Sequence, residues 1–92
     1  MEQIKRYQAV LSGNVQGVGL RIFVVDHANK LGITGWVKNM PNGTVEMEAQ
    51  GTTDKLEQLM VTIKKGNFII KVENIDCKEI DCVEETSFII KY

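Results

Sequence analysis

The hydrophobic residues of this chain follow two different periods, and the order of these periods constrains the fold more than any other feature. Apolar residues recur at helical spacing in two segments, one over residues 21–31 and one that starts at Thr52 or Thr53 and ends at Gly66. Segments with the pattern of strands precede the first helix, occur twice between the helices and follow the second helix. The predicted order of elements is therefore β-α-β-β-α-β.

Each predicted element rests on a short pattern in the sequence. The helical stripes consist of Leu20, Val24, Ala28 and Leu31 in the first helix and of Leu56, Leu59, Met60 and Ile63 in the second. The predicted strands are Tyr7–Gly13, Gly35–Asn39, a return strand from Val45, a fourth strand within residues 68–80 and a closing strand over Phe88–Tyr92. Pro41-Asn42-Gly43 is typical of a turn, which makes the second and third strands a hairpin.

Two strands carry further information in the spacing of their apolar residues. The return strand alternates between an apolar set and a polar set, Val45, Met47 and Ala49 against Glu46, Glu48 and Gln50. This alternation predicts one buried face and one face in contact with water. In the fourth strand the parity of the apolar residues changes between Val72 and Ile75, which predicts a β-bulge near Glu73. The fourth and closing strands can be interpreted as two separate strands that are joined by a turn at residues 82–86.

These patterns predict an α+β fold, the split β-α-β or ferredoxin-like plait, in which one antiparallel sheet carries both helices on one face. A length of 92 residues with 43% hydrophobic side chains suits a single domain over residues 1–92. The net charge of −1 and the interspersed charges argue against nucleic acid or an anionic membrane as a partner. The sequence has neither a signal-peptide core nor an apolar run near the roughly 20 residues that span a bilayer, so we expect a cytoplasmic protein.

The cysteines and the histidine do not form a recognisable metal or redox motif. Cys77 and Cys82 are five positions apart, and a disulfide between them would be strained if both lay on one strand. Their spacing is not typical of zinc, and His27 is the only histidine, so we expect two reduced cysteines and no metal site. His27 lies off the helical stripe and is expected at the surface or its boundary. The acidic residues of the 76–85 segment are expected to form a solvated strand edge and turn.

The junction between the first strand and the first helix is the strongest candidate for a functional site. It contains Gly13, Gly17 and Gly19, and Arg21 follows in the first turn of the helix. Glycines let successive backbone N–H groups turn toward one point, where the N-terminus of the helix adds positive potential. An arginine there can donate two parallel hydrogen bonds to a phosphate. The glycine spacing fits neither a Walker loop nor a dinucleotide fingerprint, so these residues alone predict either a phosphate cradle or a glycine-rich connection beside a solvated arginine.

A longer pattern places this junction in a family. Gly13-x-Val15-Gln16-Gly17-Val18-x-x-Arg21, followed by Gly32-x-x-Gly35-Trp36-Val37-x-Asn39-x-x-x-Gly43-x-Val45-Glu46, closely resembles the acylphosphatase signature. The resemblance spans residues 13–51, and the plait order and the Phe88-x-Ile90-x-Tyr92 ending are also similar to that family. The chain departs from the family pattern at Leu20, where an aromatic residue is usual, and has a glycine at the variable position 19.

The resemblance implies hydrolysis of acyl phosphates to a carboxylate and inorganic phosphate, which would also act as an inhibitor. It implies that the phosphoryl group is held by the arginine side chain and by the backbone of Val15, Gln16, Gly17, Val18, Gly19, Leu20 and Arg21. Asn39 would orient the attacking water. The expected enzyme is a monomer that uses no metal or other cofactor.

Two other classes of function are compatible with a plait of this kind. A metal-binding module would need a Cys-x-x-Cys motif in the first loop, which contains no cysteine here. A non-catalytic module that binds phosphate, acyl phosphate or carbamoyl phosphate is the more serious alternative. It would resemble the acylphosphatase-like domain of hydrogenase-maturation proteins.

Overall fold

The structure is a computed structural model that describes residues 3–92. Its elements are β1 (Ile4–Asn14), α1 (Leu20–Lys30), β2 (Thr34–Asn39), β3 (Val45–Thr52), α2 (Thr53–Lys65), β4 (Lys71–Ile80) and β5 (Phe88–Ile90). The predicted order is confirmed, with β4 and β5 as separate strands. The largest difference in boundaries is at β1, which begins at Ile4 rather than Tyr7 and thereby includes Arg6.

The strands form one five-stranded sheet in the order β4-β1-β3-β2-β5. The pairs β1/β3, β1/β4 and β2/β3 are antiparallel, as predicted, whereas β5 runs parallel to β2 at the edge of the sheet. The sheet is therefore mostly antiparallel, with one parallel pair at this edge. Because β4 lies at the opposite edge, residues 81–87 must cross the sheet before β5 can join it. We call residues 81–87 the crossing segment.

The main core lies between one face of the sheet and the two helices. The stripe residues of both helices are buried there, except that Met60 and Leu31 are only partly buried. The inward set of β3 (Val45, Met47 and Ala49) is buried opposite them, as the alternation predicted. Helix α1 packs over β2 and β5, whereas α2 packs over β3 and β4. Each helix thus covers one half of the sheet, and α1 lies beside the edge strand β5.

The other face of the sheet is not the open, wet face that the sequence predicted. Arg6 lies on this face and is only 2% exposed. Its Nε donates to Oε1 of Glu48 at 2.8 Å, and its Nη1 donates to Oε1 of Glu85 at 2.7 Å and to Oε1 of Gln50 at 3.2 Å. The backbone N–H of Val83 donates to Oε1 of Gln50 at 2.9 Å, which fixes the crossing segment against the sheet. Glu85 is therefore half-buried beside Arg6 rather than part of a solvated acidic edge.

The predicted β-bulge lies at Glu73. In the ladder between β1 and β4, Ser12 pairs with Asn74 and Gly13 pairs with Val72, so Glu73 is skipped. Gly13 has φ +120°, and a Cβ at this position would collide with the backbone carbonyl oxygen of Lys71. Glycine is required at position 13 by the close approach of these two strands. No helix within residues 3–92 combines the length and the apolar character needed to cross a membrane.

Candidate active site

Residues 15–19, which we call the glycine loop, connect the end of β1 to the start of α1. Gly17 has φ +72° and Gly19 has φ +79°, both in the left-handed region that residues with a side chain rarely adopt. No atom lies within 4 Å of the position that a Cβ would take at either glycine. The glycines are therefore needed for the turn of the backbone, and the space above them stays open.

The backbone N–H groups of this segment are not used within the described part of the chain. The first helical hydrogen bond of α1 runs from the N–H of Phe23 to the carbonyl oxygen of Gly19 at 3.0 Å. Within residues 3–92, no hydrogen bond starts from the N–H groups of residues 16–22, and no side chain caps the helix. Free N–H groups at a helix N-terminus attract an anion, because they are unsatisfied donors at the positive end of the helix dipole.

Most residues of this segment line a cavity of about 120 Å³, which we call the cradle. It is lined by Val15, Gly17, Gly19, Leu20, Arg21, Ile22, Asn39, Ile90 and Tyr92. Five of the seven predicted phosphate-binding positions line the cradle, and so does Asn39. Gln16 and Val18 do not line it. The fold therefore brings together Arg21 and Asn39, which are far apart in the sequence.

Arg21, the second residue of α1, is half-buried at the cradle. Its guanidinium forms no salt bridge or hydrogen bond with any residue from 3 to 92. Its nearest described partner is the ring of Tyr92, whose centroid lies 5.5 Å from Cζ of Arg21. A cation–π contact at this distance leaves the N–H donors of the guanidinium free for an oxyanion.

Asn39 is the last residue of β2, where the strand pairs with Val45 of β3. The side-chain oxygen of Asn39 is buried and accepts no hydrogen bond from any residue between 3 and 92. A buried acceptor without a partner is costly, because the group has lost its water without a replacement. Its presence at the cradle indicates that a ligand or a bound water completes this site.

Gln16 has a role that the sequence did not reveal. Its side-chain Nε2 donates to the carbonyl oxygen of Met40 at 2.7 Å and to that of Thr44 at 2.8 Å. Both acceptors lie in the hairpin between β2 and β3, directly after Asn39. Gln16 therefore ties the glycine loop to the hairpin that follows Asn39.

The side chains of Val15 and Leu20 anchor the two ends of the glycine loop. Both are buried in the main core, and Val18 packs against the core from the middle of the loop. These residues can offer the cradle only their backbones, since their side chains face inward. The departure from the family pattern at Leu20 therefore changes a core position rather than a group that could touch a ligand.

Three residues of the cradle were not predicted, namely Ile22, Ile90 and Tyr92. The pattern of the last strand was recognised in the sequence, but its position in the sheet was not. Parallel pairing with β2 brings the chain end beside the end of β2 that carries Asn39. No local signal could have shown this, because it depends on which edge of the sheet β5 joins.

The histidine and the cysteines lie outside the cradle. The ring of His27 contacts that of Phe23 in a tilted arrangement, with centroids 4.5 Å apart, and His27 is half-buried, as expected for a boundary residue. Cys77 and Cys82 are both free and exposed. Residues 3–92 contain no group of three or more His, Cys, Asp or Glu side chains arranged to hold a metal ion.

The fold and the cradle define the class of protein: an α+β plait of the ferredoxin-like type with a candidate anion site at its first strand-to-helix junction. Comparison with known proteins narrows this class. The acylphosphatase family model matches residues 7–90. The chain is 46% identical over 88 residues to the acylphosphatase of Clostridium beijerinckii, covering 95% of this chain and 98% of that protein. It belongs to the acylphosphatase family and is an enzyme of that family.

Solved structures give the same result. The crystal structure of the acylphosphatase from Bacillus subtilis superposes with a TM-score of 0.90 at 36% identity, covering 98% of this chain and 100% of that chain. Part of full-length HypF, solved in its phosphate- and nucleotide-bound form, superposes with a TM-score of 0.89 at 29% identity. That match covers 100% of this chain and 12% of HypF, so the same fold also occurs within a much longer protein.

Proposed function

We propose that the chain hydrolyses the carboxyl–phosphate bond of acyl phosphates, with the phosphoryl group in the cradle and the attacking water on Asn39. The observation that carries this proposal is the buried, partnerless side-chain oxygen of Asn39 in the same small cavity as the unpaired guanidinium of Arg21. One group is suited to hold a negative charge, and the other is suited to accept a hydrogen bond from water. Together they supply what hydrolysis of a phosphoryl group requires.

The phosphoryl oxygens are held by the free N–H groups of the glycine loop and by two N–H groups of the Arg21 guanidinium. Phosphoryl transfer depends chiefly on positioning and on stabilising the charge of the equatorial oxygens. A planar guanidinium and a set of fixed N–H donors do both without reorganising during the reaction. Leu20 and Val15 support this arrangement from below, because their side chains are locked in the core.

The chemical step needs no strong acid or base. The oxygen of the water attacks phosphorus while the bond between phosphorus and the bridging oxygen breaks, and its electron pair leaves with the carboxylate. The conjugate acid of a carboxylate has a pKa of about 4, so this group departs without a proton. Asn39 accepts a hydrogen bond from the water and thereby orients a lone pair of the water oxygen toward phosphorus. The oxygen of the water keeps one proton and the other passes to the phosphate, which leaves as dihydrogen phosphate.

We propose that the reaction needs neither a metal ion nor a thiol and that a monomer carries it out. Positive charge at the phosphoryl group comes from Arg21 and from the end of α1, so a cation has no required role in this scheme. Hydrolysis of benzoyl phosphate with and without a chelator tests the first point, and loss of activity restored by zinc or magnesium would contradict it.

Asn39→Ala is the central test, with Asn74→Ala on exposed β4 as the matched control. We expect kcat for benzoyl phosphate to fall at least about ten-fold in Asn39→Ala, because the water loses its acceptor. Inhibition by inorganic phosphate should change little, since the phosphoryl site remains intact. A higher KM at unchanged kcat, or weaker inhibition by phosphate, would assign Asn39 to binding instead.

A module that binds phosphate without hydrolysing an acyl phosphate is the second candidate. The likeness to part of full-length HypF in its phosphate- and nucleotide-bound form favours this candidate. Calorimetric titration with phosphate and the hydrolysis assay separate the two. Binding of phosphate that depends on Arg21, without any turnover of benzoyl phosphate or carbamoyl phosphate, would support the binding module.

A further inference from the structure

The loop between α2 and β4, residues 66–70, carries two neighbouring apolar side chains that the fold leaves in water. We call it the Phe68 loop. Phe68 is 99% exposed and Ile69 is 59% exposed, whereas Ile70, the next residue, is buried in the main core. Phenylalanine and isoleucine are among the residue types that proteins bury most often. A pair of them exposed side by side therefore indicates a contact surface rather than an incidental apolar residue.

Hydrogen bonds hold the backbone of the Phe68 loop on both sides of the exposed ring. Oδ1 of Asn67 accepts from the N–H groups of Ile69 and Ile70, each at 2.8 Å. The N–H of Asn67 donates to the carbonyl oxygen of Ile70 at 3.3 Å. From the end of β1, Nδ2 of Asn14 donates to the carbonyl oxygen of Ile69 at 2.8 Å. The loop therefore has a defined backbone, from which the side chain of Phe68 projects into solvent instead of packing on the core.

The charge around the Phe68 loop differs from that of the whole chain. Residues 58–72 include three lysines, at positions 64, 65 and 71, and no aspartate or glutamate. Lys65 and Lys71 line a depression of about 400 Å³ together with Asn67 and Phe68. Neither of these two lysines forms a salt bridge within residues 3–92. The net charge of −1, a sum over the whole chain, therefore conceals a surface that is locally both basic and apolar.

The shape and charge of this surface favour a lipid bilayer over a protein as its partner. A ring that is 99% exposed stands out from the surface, so a protein would need a matching pocket to cover it. A stable protein interface also buries about 800 Å² on each partner, which is more than two side chains can offer. A bilayer needs no shaped pocket, because its interface accepts apolar side chains directly and its anionic headgroups attract nearby lysines.

The Phe68 loop lies at the end of the sheet that also carries the cradle. β1 and β4 are antiparallel, so the last residue of β1, Asn14, pairs with the first residue of β4, Lys71. The glycine loop follows directly after Asn14, and the Phe68 loop directly precedes Lys71. A bilayer bound through the Phe68 loop would therefore face the end of the molecule at which the cradle lies.

We propose that the Phe68 loop attaches the protein reversibly to the surface of an anionic bilayer. Phe68 and Ile69 insert among the lipid headgroups, and the ammonium groups of Lys65 and Lys71 contact lipid phosphates. Two apolar side chains and two lysines give weak attachment, far from the nearly irreversible insertion of a membrane-spanning helix. The proposal is independent of the proposed function, because no step of the hydrolysis involves the Phe68 loop.

Sedimentation with vesicles tests the proposal without any substrate. The wild type, Phe68→Ser, Phe68→Trp and Lys71→Gln are compared on vesicles of phosphatidylcholine alone and of phosphatidylcholine with an equal part of phosphatidylglycerol. Val83→Ser is the matched control. Val83 is also an exposed apolar residue (49%), but it lies in the acidic crossing segment, directly before Glu84 and Glu85.

We expect the wild type to bind the anionic vesicles and Phe68→Ser to bind them at least about ten-fold more weakly, because the inserted ring is lost. Lys71→Gln should weaken binding to the anionic vesicles about five-fold and leave binding to phosphatidylcholine vesicles unchanged. Phe68→Trp should retain binding, since an indole also suits the membrane interface, and so should Val83→Ser. The urea midpoint should be the same in all of these variants, because the substituted side chains are exposed.

The outcomes separate the bilayer from other partners. A wild type that does not bind the anionic vesicles, or a Phe68→Ser variant that binds them as tightly as the wild type, would overturn the proposal. Self-association of the wild type in sedimentation velocity, abolished in Phe68→Ser, would assign the Phe68 loop to contact between copies of the chain and would overturn it as well. None of these results would affect the proposed function, which the hydrolysis assay tests separately.

Discussion

The two arginines of the chain lie in opposite environments. Arg6, on the face of the sheet away from the helices, is 2% exposed and bonds to Glu48, Gln50 and Glu85. Arg21, at the start of α1, is half-buried and has no carboxylate partner within residues 3–92. The donors of Arg6 are occupied by the protein itself, while those of Arg21 are left for a ligand.

The comparison shows that burial alone does not identify a functional charge. A buried guanidinium is stable only when its donors are satisfied, and Arg6 meets this condition with groups of the protein. Desolvation by burial tends to lower the pKa of Arg6, but the hydrogen bonds with Glu85 and Glu48 outweigh it and hold this pKa above its ordinary value. Arg6 is therefore a structural cation that fixes the crossing segment. Arg21 carries the charge that remains available for chemistry.

Replacement by lysine at position 21 and at position 6 gives the sharpest test of this difference. The larger effect is expected for Arg21→Lys, on hydrolysis. We expect Arg21→Lys to lower kcat/KM for benzoyl phosphate by about 100-fold or more, because lysine keeps the charge but loses the two-pronged contact. Inhibition by phosphate should weaken in parallel. The urea midpoint should stay close to that of the wild type, since Arg21 forms no salt bridge or hydrogen bond within residues 3–92 and lysine can keep a cation–π contact with Tyr92.

Near wild-type turnover in Arg21→Lys, together with unchanged inhibition by phosphate, would remove Arg21 from the phosphate site. Loss of activity accompanied by a large fall in the urea midpoint would show that Arg21 acts through the fold instead. Steady-state kinetics and urea unfolding on the same preparation distinguish these results.

Arg6→Lys should give the reverse pattern. An ammonium group cannot keep all the bonds to Glu48, Gln50 and Glu85, so the free energy of unfolding should fall by about 2 kcal/mol. Since Arg6 does not line the cradle, kcat per folded molecule should stay within about three-fold of the wild type. Urea unfolding followed by fluorescence measures the first quantity. An unchanged urea midpoint would mean that the crossing segment does not depend on Arg6.

Gln16→Ala tests how the cradle is held together. Loss of the bonds to Met40 and Thr44 should cost about 1–2 kcal/mol of stability. It should also lower kcat by about ten-fold, because the loop and Asn39 are no longer fixed relative to each other. Gln58→Ala on the exposed side of α2 is the matched control. Should the variant lose stability but keep its kcat, Gln16 would be a purely structural residue.

The smallest expected effect concerns the two thiols, which lie away from the cradle. Cys77 is exposed, but it lines a shallow depression together with Tyr7, Leu56 and Met60, and its partial desolvation there raises the pKa of its thiol. At a given pH near 8 a smaller fraction of Cys77 is therefore thiolate, and iodoacetamide should modify it a few-fold more slowly than Cys82. Peptide mass spectrometry over time measures both rates. Faster modification of Cys77, or loss of hydrolysis once both thiols are blocked, would contradict this assignment.

Much of the fold could be predicted because its determinants lie close together in the sequence. The stripes of α1 and α2, the alternation of β3 and the bulge at Glu73 each depend on residues within about two helical turns of one another. The glycines at positions 17 and 19 were recognised for the same reason. Gly13 was assigned to the same cradle, but its conformation is required by the approach of β4 instead.

The parts that sequence reasoning missed depend on distant residues. Arg6 was left outside the first strand, and Glu85 was expected in a solvated edge, yet these two residues, 79 positions apart, form the shortest bond of the buried network at 2.7 Å. The contribution of Ile90 and Tyr92 to the cradle was missed because the sequence does not show which strand β5 pairs with. In each case the local pattern was compatible with more than one partner.

The sequence by itself determined the order of the elements, the residues that the helices bury and the glycine loop that begins α1, because short-range periodicity and backbone freedom are properties of neighbouring residues. Only the tertiary structure decided which arginine is neutralised and which stays free, that Gln16 ties the loop to the hairpin and that β5 completes the cradle. The pairing of Arg6 and the position of β5 depend on the path of residues 81–87 across the sheet, whereas the bonds of Gln16 depend on where the hairpin lies. All of these follow from how the five strands pack together, which no local pattern specifies.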